Sequence, residues 1–539
     1  MMKVIKKILL TVCIVGTAGV AFSQGIVKGV VVDSNSGEAL VGAAVAVENT
    51  TIGTLTSLDG SFVLKVPVEK GTIKVTFVGY SDKTIEVTIP SGTEKDLGQI
   101  QLTASSIGLE EVLVVSSFVR DRTTPVAVST IEPKIIAEKL GNKEFPEILK
   151  STPSIYATKS GGGFGDSRVY VRGFDSNNVG VLINGIPVNG MEDGKVYWSN
   201  WAGLSDVTSN QQVQRGLGAS KLALSSVGGT INIITRSTDA EKGGSVYAGI
   251  GNDGYMKQTF TVSTGMLDNG WAMTLSGGHT YGNGYVQATN FEGWSYFVNV
   301  SKKINSKHSI VFNAFGAPQW HNQRSNKHTI QEFRDHPMEA KWNSDFGYRN
   351  GDIYNIGYAY NYYHKPQISL NHYWKISDNA MLSTQAYASI ATGGGRRVYG
   401  PNSTWLSLNY PSGTPYDNSA LTPEGYFDFD WVIAQNAAST TGSKAIIANA
   451  INDHQWYGVL STFTTSISDF KITAGFDGRY YSGVHAYKID DLLGGVYYLD
   501  NKNINRPASQ PLHKGDYVNY NYRGQVLWLG LYAQAEYIK

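Results

Sequence analysis

VQRGLGASKLALSSVGGTINIITR, residues 213–236, joins two unlike kinds of chain. It opens on an Arg-Gly corner, Arg215-Gly216, runs through small residues and reaches a glycine pair, Gly228-Gly229. A β stretch follows at once, Thr230-Ile231-Asn232-Ile233-Ile234-Thr235. Glycine leaves the backbone many states and β-branched residues leave it few, so this segment reads as a flexible rim feeding a final strand. Before it the chain mixes short strands, a short helix and glycine patches. After residue 240 it changes to alternation with a period of two.

That alternation runs to the end of the chain. Phe260 and Val262 face one way and Thr259, Thr261 and Ser263 the other; Trp271, Met273 and Leu275 alternate with Ala272, Thr274 and Ser276. Tyr296, Val298 and Val300 alternate with Phe297, Asn299 and Ser301, and Ile310, Phe312 and Ala314 repeat the theme. Ile368 and Leu370, then Phe470, Ile472, Ala474 and Phe476, then Trp528, Gly530 and Tyr532 extend the apolar set. Apolar-out, polar-in strands between Gly, Asn and Asp turns are those of a transmembrane β-barrel. A soluble sandwich alternates in the same way. Two stretches, 317–366 and 391–455, read as irregular outer loops rich in Asn, Gly, Tyr, Trp and His. Their His321, His328 and His336 lack metal-ligand spacing and read as solvated loop histidines, with no metal site.

The opening of the chain bears on the choice between barrel and sandwich. Lys3, Lys6 and Lys7 precede an apolar run, residues 8–15, and Ala21-Phe22-Ser23 supplies small residues at a cleavage site, so residues 1–23 read as a secretory signal peptide. The single cysteine, Cys13, lies within it, and Val12 before it argues against a lipoprotein anchor. The mature chain then has no disulfide and depends on burial and strand pairing. With 45 basic and 44 acidic side chains in 539 residues, no charge excess points to nucleic acid. The mean hydropathy is −0.20, and past the N-terminus no apolar run suits a membrane helix, so any membrane contact is made by strands. Export, 60 glycines, 32 tyrosines and 11 tryptophans favour the barrel.

Residues 24–103 read as a small all-β sandwich of immunoglobulin-like type, with strands near 27–32, 43–48, 54–56, 62–66, 73–78 and 84–89 and a hairpin turn at Asp59-Gly60. The wording GVVVDSNSGEALVGAAVAVENTTIGTLTSLDGSFVLKVP, followed by TFVGY, resembles the carboxypeptidase-regulatory-like domain found ahead of many outer-membrane receptors. That resemblance implies a non-catalytic accessory module, and the segment has no histidine with which to build a zinc site. Residues 104–124 form a linker. Within it Glu110, Glu111, Val112, Leu113, Val114 and Val115 make an apolar, β-prone run suited to strand addition. The residues alone fit equally the last strand of the sandwich or a strand of the next domain. They also resemble the TonB box, which a periplasmic energy-coupling protein captures.

Residues 125–238 form the next domain. It contains a short helix at 144–150, the glycine patch 161–165 and the hairpin VLINGIPVNG, turning at Asn184-Gly185. The patch lacks the Gly-Lys-Ser/Thr ending of a phosphate-binding loop. VYVRGF at 169–174, VLINGIPVNG at 181–190 and the opening stretch, in that order, resemble the plug domain of TonB-dependent outer-membrane receptors. Asn184 replaces the usual acid and tolerates the same turn. The plug motifs are carried by Gly173, Asn184, Gly185, Gly216, Gly228 and Gly229. The resemblance implies that Arg172 and Arg215 meet glutamates on the barrel wall, and Glu536 in YAQAEY is the candidate wall residue.

The whole chain is therefore expected to be mainly β: a sandwich, an α+β plug and, over 239–539, the N-terminal part of an antiparallel transmembrane barrel. Plugged transporters have about 22 strands, and about ten are recognisable before Lys539, which suggests a C-terminally truncated barrel. No catalytic set converges anywhere, so an enzyme is not expected. The resemblance implies active, TonB-dependent import of a scarce or bulky ligand, a siderophore, cobalamin, glycan or peptide, in a Gram-negative outer membrane, without a cofactor. The implied partners are the TonB protein, outer-membrane lipid, the ligand and a surface lipoprotein. The alternatives are a surface binding protein or adhesin with a fixed plug, and a non-functional barrel fragment.

Overall fold

The computed structural model describes residues 25–34, 37–48, 50, 52–66, 70–77, 80, 82–90, 92–102, 127–131, 133–141, 143–159, 163–165, 167–216, 226–235, 242–355, 360–400, 420–507 and 509–537. The chain divides into two compact units, Met1–Glu110 and Glu111–Lys539. The signal segment expected at 1–23 lies outside the described residues.

The first unit holds seven strands: β1 (Gly25–Asp33), β2 (Ala44–Val47), β3 (Gly53–Leu55), β4 (Ser61–Val66), β5 (Lys70–Thr76), β6 (Lys83–Thr88) and β7 (Glu94–Leu102). They form sheets of order β4-β1-β7 and β3-β2-β5-β6. Val27, Val31, Val45, Leu64, Ile73, Val75, Ile100 and Leu102 share one core. Alternate residues of each strand supply it, as a two-layer sandwich requires. The sequence reading named no strand between 90 and 103, the last part of the sandwich as it was bounded. β7 begins Glu-Lys-Asp and buries only Ile100 and Leu102, so it has little apolar signal, yet it pairs with β1 in parallel. At the Asp59-Gly60 turn Gly60 has φ +76°, and a Cβ there would lie 2.6 Å from the Val31 carbonyl oxygen.

In the second unit β8 (Ala127–Ile131), helix α1 (Pro133–Leu140) and the 3-10 turn Phe145–Ser151 lead into β9 (Ile155–Thr158) and β10 (Arg168–Val171). β11 (Val179–Ile183), β12 (Ile186–Pro187), β13 (Thr208–Arg215) and β14 (Gly229–Thr235) complete a sheet of order β12-β11-β14-β13-β8. The helix expected at 144–150 is thus a 3-10 turn capped by Glu144, with Pro146 near its start. The α-helix lies one step earlier, over a segment for which no element was expected. Gly229 opens the stretch that closes this sheet: β14 pairs antiparallel with β13 and parallel with β11.

The remainder is one large sheet. Its path runs through β15 (Gly243–Ile250), β16 (Met256–Ser263), β17 (Trp271–Gly282), β18 (Phe291–Lys303) and β19 (His308–Gly316). After β20 (Gln319–Asn322), helix α2 (Ile330–Asp335), β21 (Phe346–Arg349), β22 (Asp352–Asn355) and β23 (Tyr360–His364), the path resumes at β24 (Gln367–Ser377) and β25 (Ala380–Tyr399). It passes β26 (Phe427–Asp428) and helix α3 (Phe429–Ala438), continues in β27 (Ile446–Ile467) and β28 (Phe470–Asp491), skirts β29 (Tyr498–Leu499) and β30 (Pro511–Leu512), and ends in β31 (Tyr517–Tyr537). Ten strands form this antiparallel path, with β15 and β31 at its edges and β20 and β23 as lateral additions. No helix among the described residues is long and apolar enough to cross a membrane.

Connections at one end are short (264–270, 304–307, 378–379 and 468–469); at the other the first, 251–255, is short and the later ones lengthen (283–290, 317–366, 400–445 and 492–516). β25, β27, β28 and β31 are 20, 22, 22 and 21 residues long. About 9–11 residues suffice to span a bilayer, so the wall extends well past it on the long-loop side. The two stretches read as irregular are therefore partly wall. β25 runs on to Tyr399 and β27 begins at Ile446, while β21, β22 and β26 form a sheet above them.

The outward face follows the expected alternation along β16 to β19, with Phe260, Val262, Trp271, Met273, Tyr296 and Phe312 exposed. In β31 it is displaced by one residue. Leu527, Leu529 and Leu531 are 72, 67 and 83% exposed, whereas Tyr532 turns inward to bond Thr462. Trp528 lies under the Arg479 guanidinium, at 5.9 Å. Trp and Tyr serve either face of a plugged wall, so the leucines mark the lipid side. His321 is also displaced from expectation: as part of β20 it is 1% exposed and packs beside Phe164 of the plug. His328 and His336 flank Trp342, with ring centroids at 4.1 and 4.4 Å.

Candidate functional site

The plug contacts the inner face of the wall through side chains that the strand alternation turns inward. On β16 to β19 the contact is largely apolar. Phe164 stacks on Phe291 at 4.5 Å, Trp201 meets Phe315 at 5.9 Å, and Phe297 and Phe315 join the plug core of Phe145, Leu149, Val171 and Ile233. One ion pair crosses within this face, Lys257 Nζ to Asp206 Oδ1 at 2.7 Å, with both side chains nearly buried. A cavity of about 70 Å³ lies beside it, lined by Glu144, Phe164, Trp198, Asp206, Tyr255 and Lys257 among others. Asp206 Oδ2 and the Trp198 indole N–H are buried without a partner. The cavity has room for water to serve them.

On β25 to β28 the contact is more polar. Gln385 Nε2 donates to the Asn184 carbonyl at 3.1 Å, and His485 Nε2 meets Glu192 at 2.7 Å. Ile186 packs among Tyr387, Trp456 and Tyr481. The β11–β12 turn places these groups. Asn184 and Gly185 have φ of +52° and +82°, the paired left-handed values of a type I′ hairpin. The Asn184 amide is used in full: Oδ1 accepts from the Thr235 N–H and Nδ2 donates to Thr235 Oγ1, both at 2.9 Å. A carboxylate could not make the second of these bonds as donor.

Two plug residues without a sequence signal of their own do comparable work. Asn189 accepts from the Val181 N–H and donates to the Val179 and Gly194 carbonyls, which ties the apex loop 190–197 to the sheet. Glu144 accepts from the Gly165 N–H and Ser167 Oγ and so fixes the end of the glycine patch. Burial opposes ionisation of Glu147 on the same turn, but Lys150 and Lys159 outweigh it and hold its carboxyl below the usual value.

The two arginines stay within the plug. Arg215 donates to the Pro153 and Val128 carbonyls at 3.3 and 3.4 Å. Arg172, at φ +52°, lays its guanidinium over Gly216, where a Cβ would fall 2.3 Å from Nη1. Among the described residues no carboxylate pairs with either one, and Glu536 instead accepts from Gln534 at the end of β31. The expected arginine–glutamate contacts do not occur among the described residues, where Arg215 Nε is buried without a partner. Gly173 follows Arg172 with φ +83°, and Gly228 abuts Phe174 and Val179. Glu110, Glu111, Val112, Leu113, Val114 and Val115 lie outside the described residues. No cluster of three or more His, Cys, Asp or Glu side chains able to hold a metal occurs among the described residues.

A plug sheet docked on the inner face of a wall of alternating strands has counterparts among known proteins. The profile of the TonB-dependent receptor plug domain matches residues 120–230. This part of the chain is a plug domain of the TonB-dependent receptor kind. The profile of the CarboxypepD_reg-like domain matches residues 27–114. The vitamin B12 transporter BtuB of Vibrio vulnificus is 27% identical over 214 residues, 39% of this chain and 34% of that protein. BtuB of Vibrio cholerae is 30% identical over 167 residues, 31% of this chain and 27% of that protein. The matched stretch thus spans about a third or less of these curated relatives. The ferric-catecholate import receptor Fiu of E. coli K12 superposes with a TM-score of 0.50 at 16% identity, over 76% of this chain and 57% of that one. The ferripyoverdine receptor of the outer membrane of Pseudomonas aeruginosa gives 0.52 at 15%, over 77% and 50%. These likenesses show the fold alone: a plug domain with a mainly β wall like part of the barrel of such receptors.

Proposed function

We propose that this receptor takes part in active import of a scarce or bulky ligand across the outer membrane, with the plug as the moving part. The observation that carries the reading is the docking itself. Beside its apolar packing the plug is held by one nearly buried ion pair, one His–Glu contact and a side-chain bond to a main-chain carbonyl, polar links that can be exchanged without unfolding the wall. The ligand approaches from the long-loop end, where the apex residues Glu192 and Asp193 stand against the wall. The TonB protein engages residues 110–115 by strand addition and pulls on the plug. We assign residues 24–103 to the accessory sandwich, 125–238 to the plug and 239–539 to the wall.

The test is uptake and surface binding measured together in a Gram-negative host, with ferric chelates, cobalamin, oligosaccharides and peptides as probes. Replacing Val112, Leu113 and Val114 by prolines is expected to abolish accumulation and leave surface binding intact. Uptake that persists in this variant, or in a host without TonB, would refute the energised mechanism. A protein that binds but never accumulates any probe would be an adhesin-like receptor with a fixed plug.

A further inference from the structure

Lys365 lies between β23 and β24 and faces the plug. It is 8% exposed, and its ammonium makes neither an ion pair nor a hydrogen bond with a described residue. Instead it lies over two indole faces, 5.5 Å from the ring of Trp201 on the plug and 5.1 Å from that of Trp456 on β27. Asp193 acts on it only through space, since that carboxylate is engaged by the Lys195 N–H and the Tyr197 hydroxyl. Cation–π contacts contribute about 0.5–2 kcal/mol each, while removing an ammonium from water costs several kcal/mol. Two ring faces therefore do not replace the missing counter-ion.

The groups around Lys365 share its shortage of partners. The Trp456 N–H, on a residue 3% exposed, has no hydrogen-bond partner, and neither has the hydroxyl of its neighbour Tyr387. His454, 8% exposed, donates from Nδ1 to the Tyr363 hydroxyl, which itself donates to the Asn452 carbonyl, and so presents Nε2 as an unpaired acceptor. Buried polar groups are seldom left unsatisfied, and a cation with an indole donor beside it is complementary to an anion. All sit at the level of the plug apex, where Glu192 meets His485.

We propose that Lys365 and Trp456 form a binding site for an anionic group, a carboxylate or a phosphate, carried by a ligand that reaches the plug apex. The arriving anion competes with the Trp201 face for the same ammonium, so its binding weakens one plug–wall contact. The inference rests on the import reading only in supposing that a ligand comes to the apex; anion binding is measured without transport, so its failure leaves that reading standing.

The experiment uses iodide, an anionic quencher of tryptophan emission, on the protein in detergent micelles. A saturable component of quenching is expected, displaced by inorganic phosphate and by acetate, lost in Lys365→Met and kept in Lys365→Arg. Caesium, a cationic quencher, should show no such component. Linear iodide quenching that is the same in wild type and Lys365→Met overturns the site. So does a saturable component that survives in Lys365→Met, which would be an adventitious ion only. Should Lys365→Met fail to fold, Trp456→Phe keeps a ring face and removes the N–H donor. It is expected to weaken phosphate competition about tenfold, and unchanged competition would equally overturn the site.

Discussion

Removing the Asp206–Lys257 pair tests the idea that the polar contacts holding the plug are few and exchangeable. The pair joins plug to wall at 2.7 Å with side chains only 14 and 9% exposed, so solvent screening is weak. Lys257→Met would leave the Asp206 carboxylate, one oxygen of which already lacks a partner, buried and uncompensated. Breaking a buried pair from one side costs about 3–5 kcal/mol. The adjacent cavity of about 70 Å³ supplies water to the orphaned charge and places the effect at the low end. About 3 kcal/mol corresponds to a roughly 150-fold shift in the docking equilibrium. The double variant Asp206→Asn with Lys257→Met, which has no charge to strand, should recover most of that loss. Urea unfolding of the plug followed by near-ultraviolet circular dichroism, with the wall monitored by heat-modified gel mobility, reads all four species of the cycle. If each single variant and the double fall within about 0.5 kcal/mol of wild type, the pair behaves as a surface pair and the reasoning fails.

Other expectations come from the same geometry. Asn184→Asp should be nearly neutral, since Thr235 can reverse its hydroxyl, whereas Asn184→Ala loses the side-chain bonds and places Ala at φ +52°, costing about 2 kcal/mol in plug unfolding. Leu529→Arg, on the outward face of β31, should impair folding into bilayers by about 2–4 kcal/mol, and Trp528→Arg, on the inner face, should insert normally; equal insertion would reverse the facing assigned here. In the long loops, burial holds His328 below its usual 6.5 against the opposing pull of Glu332, with Arg324 and His336 also facing it. The unfolded loop then binds the proton more readily than the folded one, so stability is complete above pH 6.5 and falls as pH drops toward the depressed value. Hydrogen-exchange protection factors of residues 323–345, corrected for the intrinsic pH dependence of amide exchange, should fall between pH 7 and 5.5, and His328→Asn should flatten that response.

What the sequence by itself determined was whatever depends on neighbours along the chain. The Asn184-Gly185 turn follows from two residues that tolerate positive φ, and the two-faced wall strands follow from a period of two that backbone geometry imposes on any strand. The plug motifs were legible for the same reason, since their glycines and turns are local requirements. Strands with weak local signal were not: β7 has two buried residues in nine, and β20 places His321 in a dry interface only because β18 and β23 flank it. The tertiary structure alone decided which charges meet. Arg172 and Arg215 looked like the plug's anchors, yet they lie on Gly216 and plug carbonyls, while Asp206 and Lys257, unremarked in the sequence and 51 residues apart, form the buried link. Lys365 reads as one more loop lysine until Trp201 and Trp456 close on it. Pairing between distant side chains depends on how sheets curve and dock, and no local pattern carries that information.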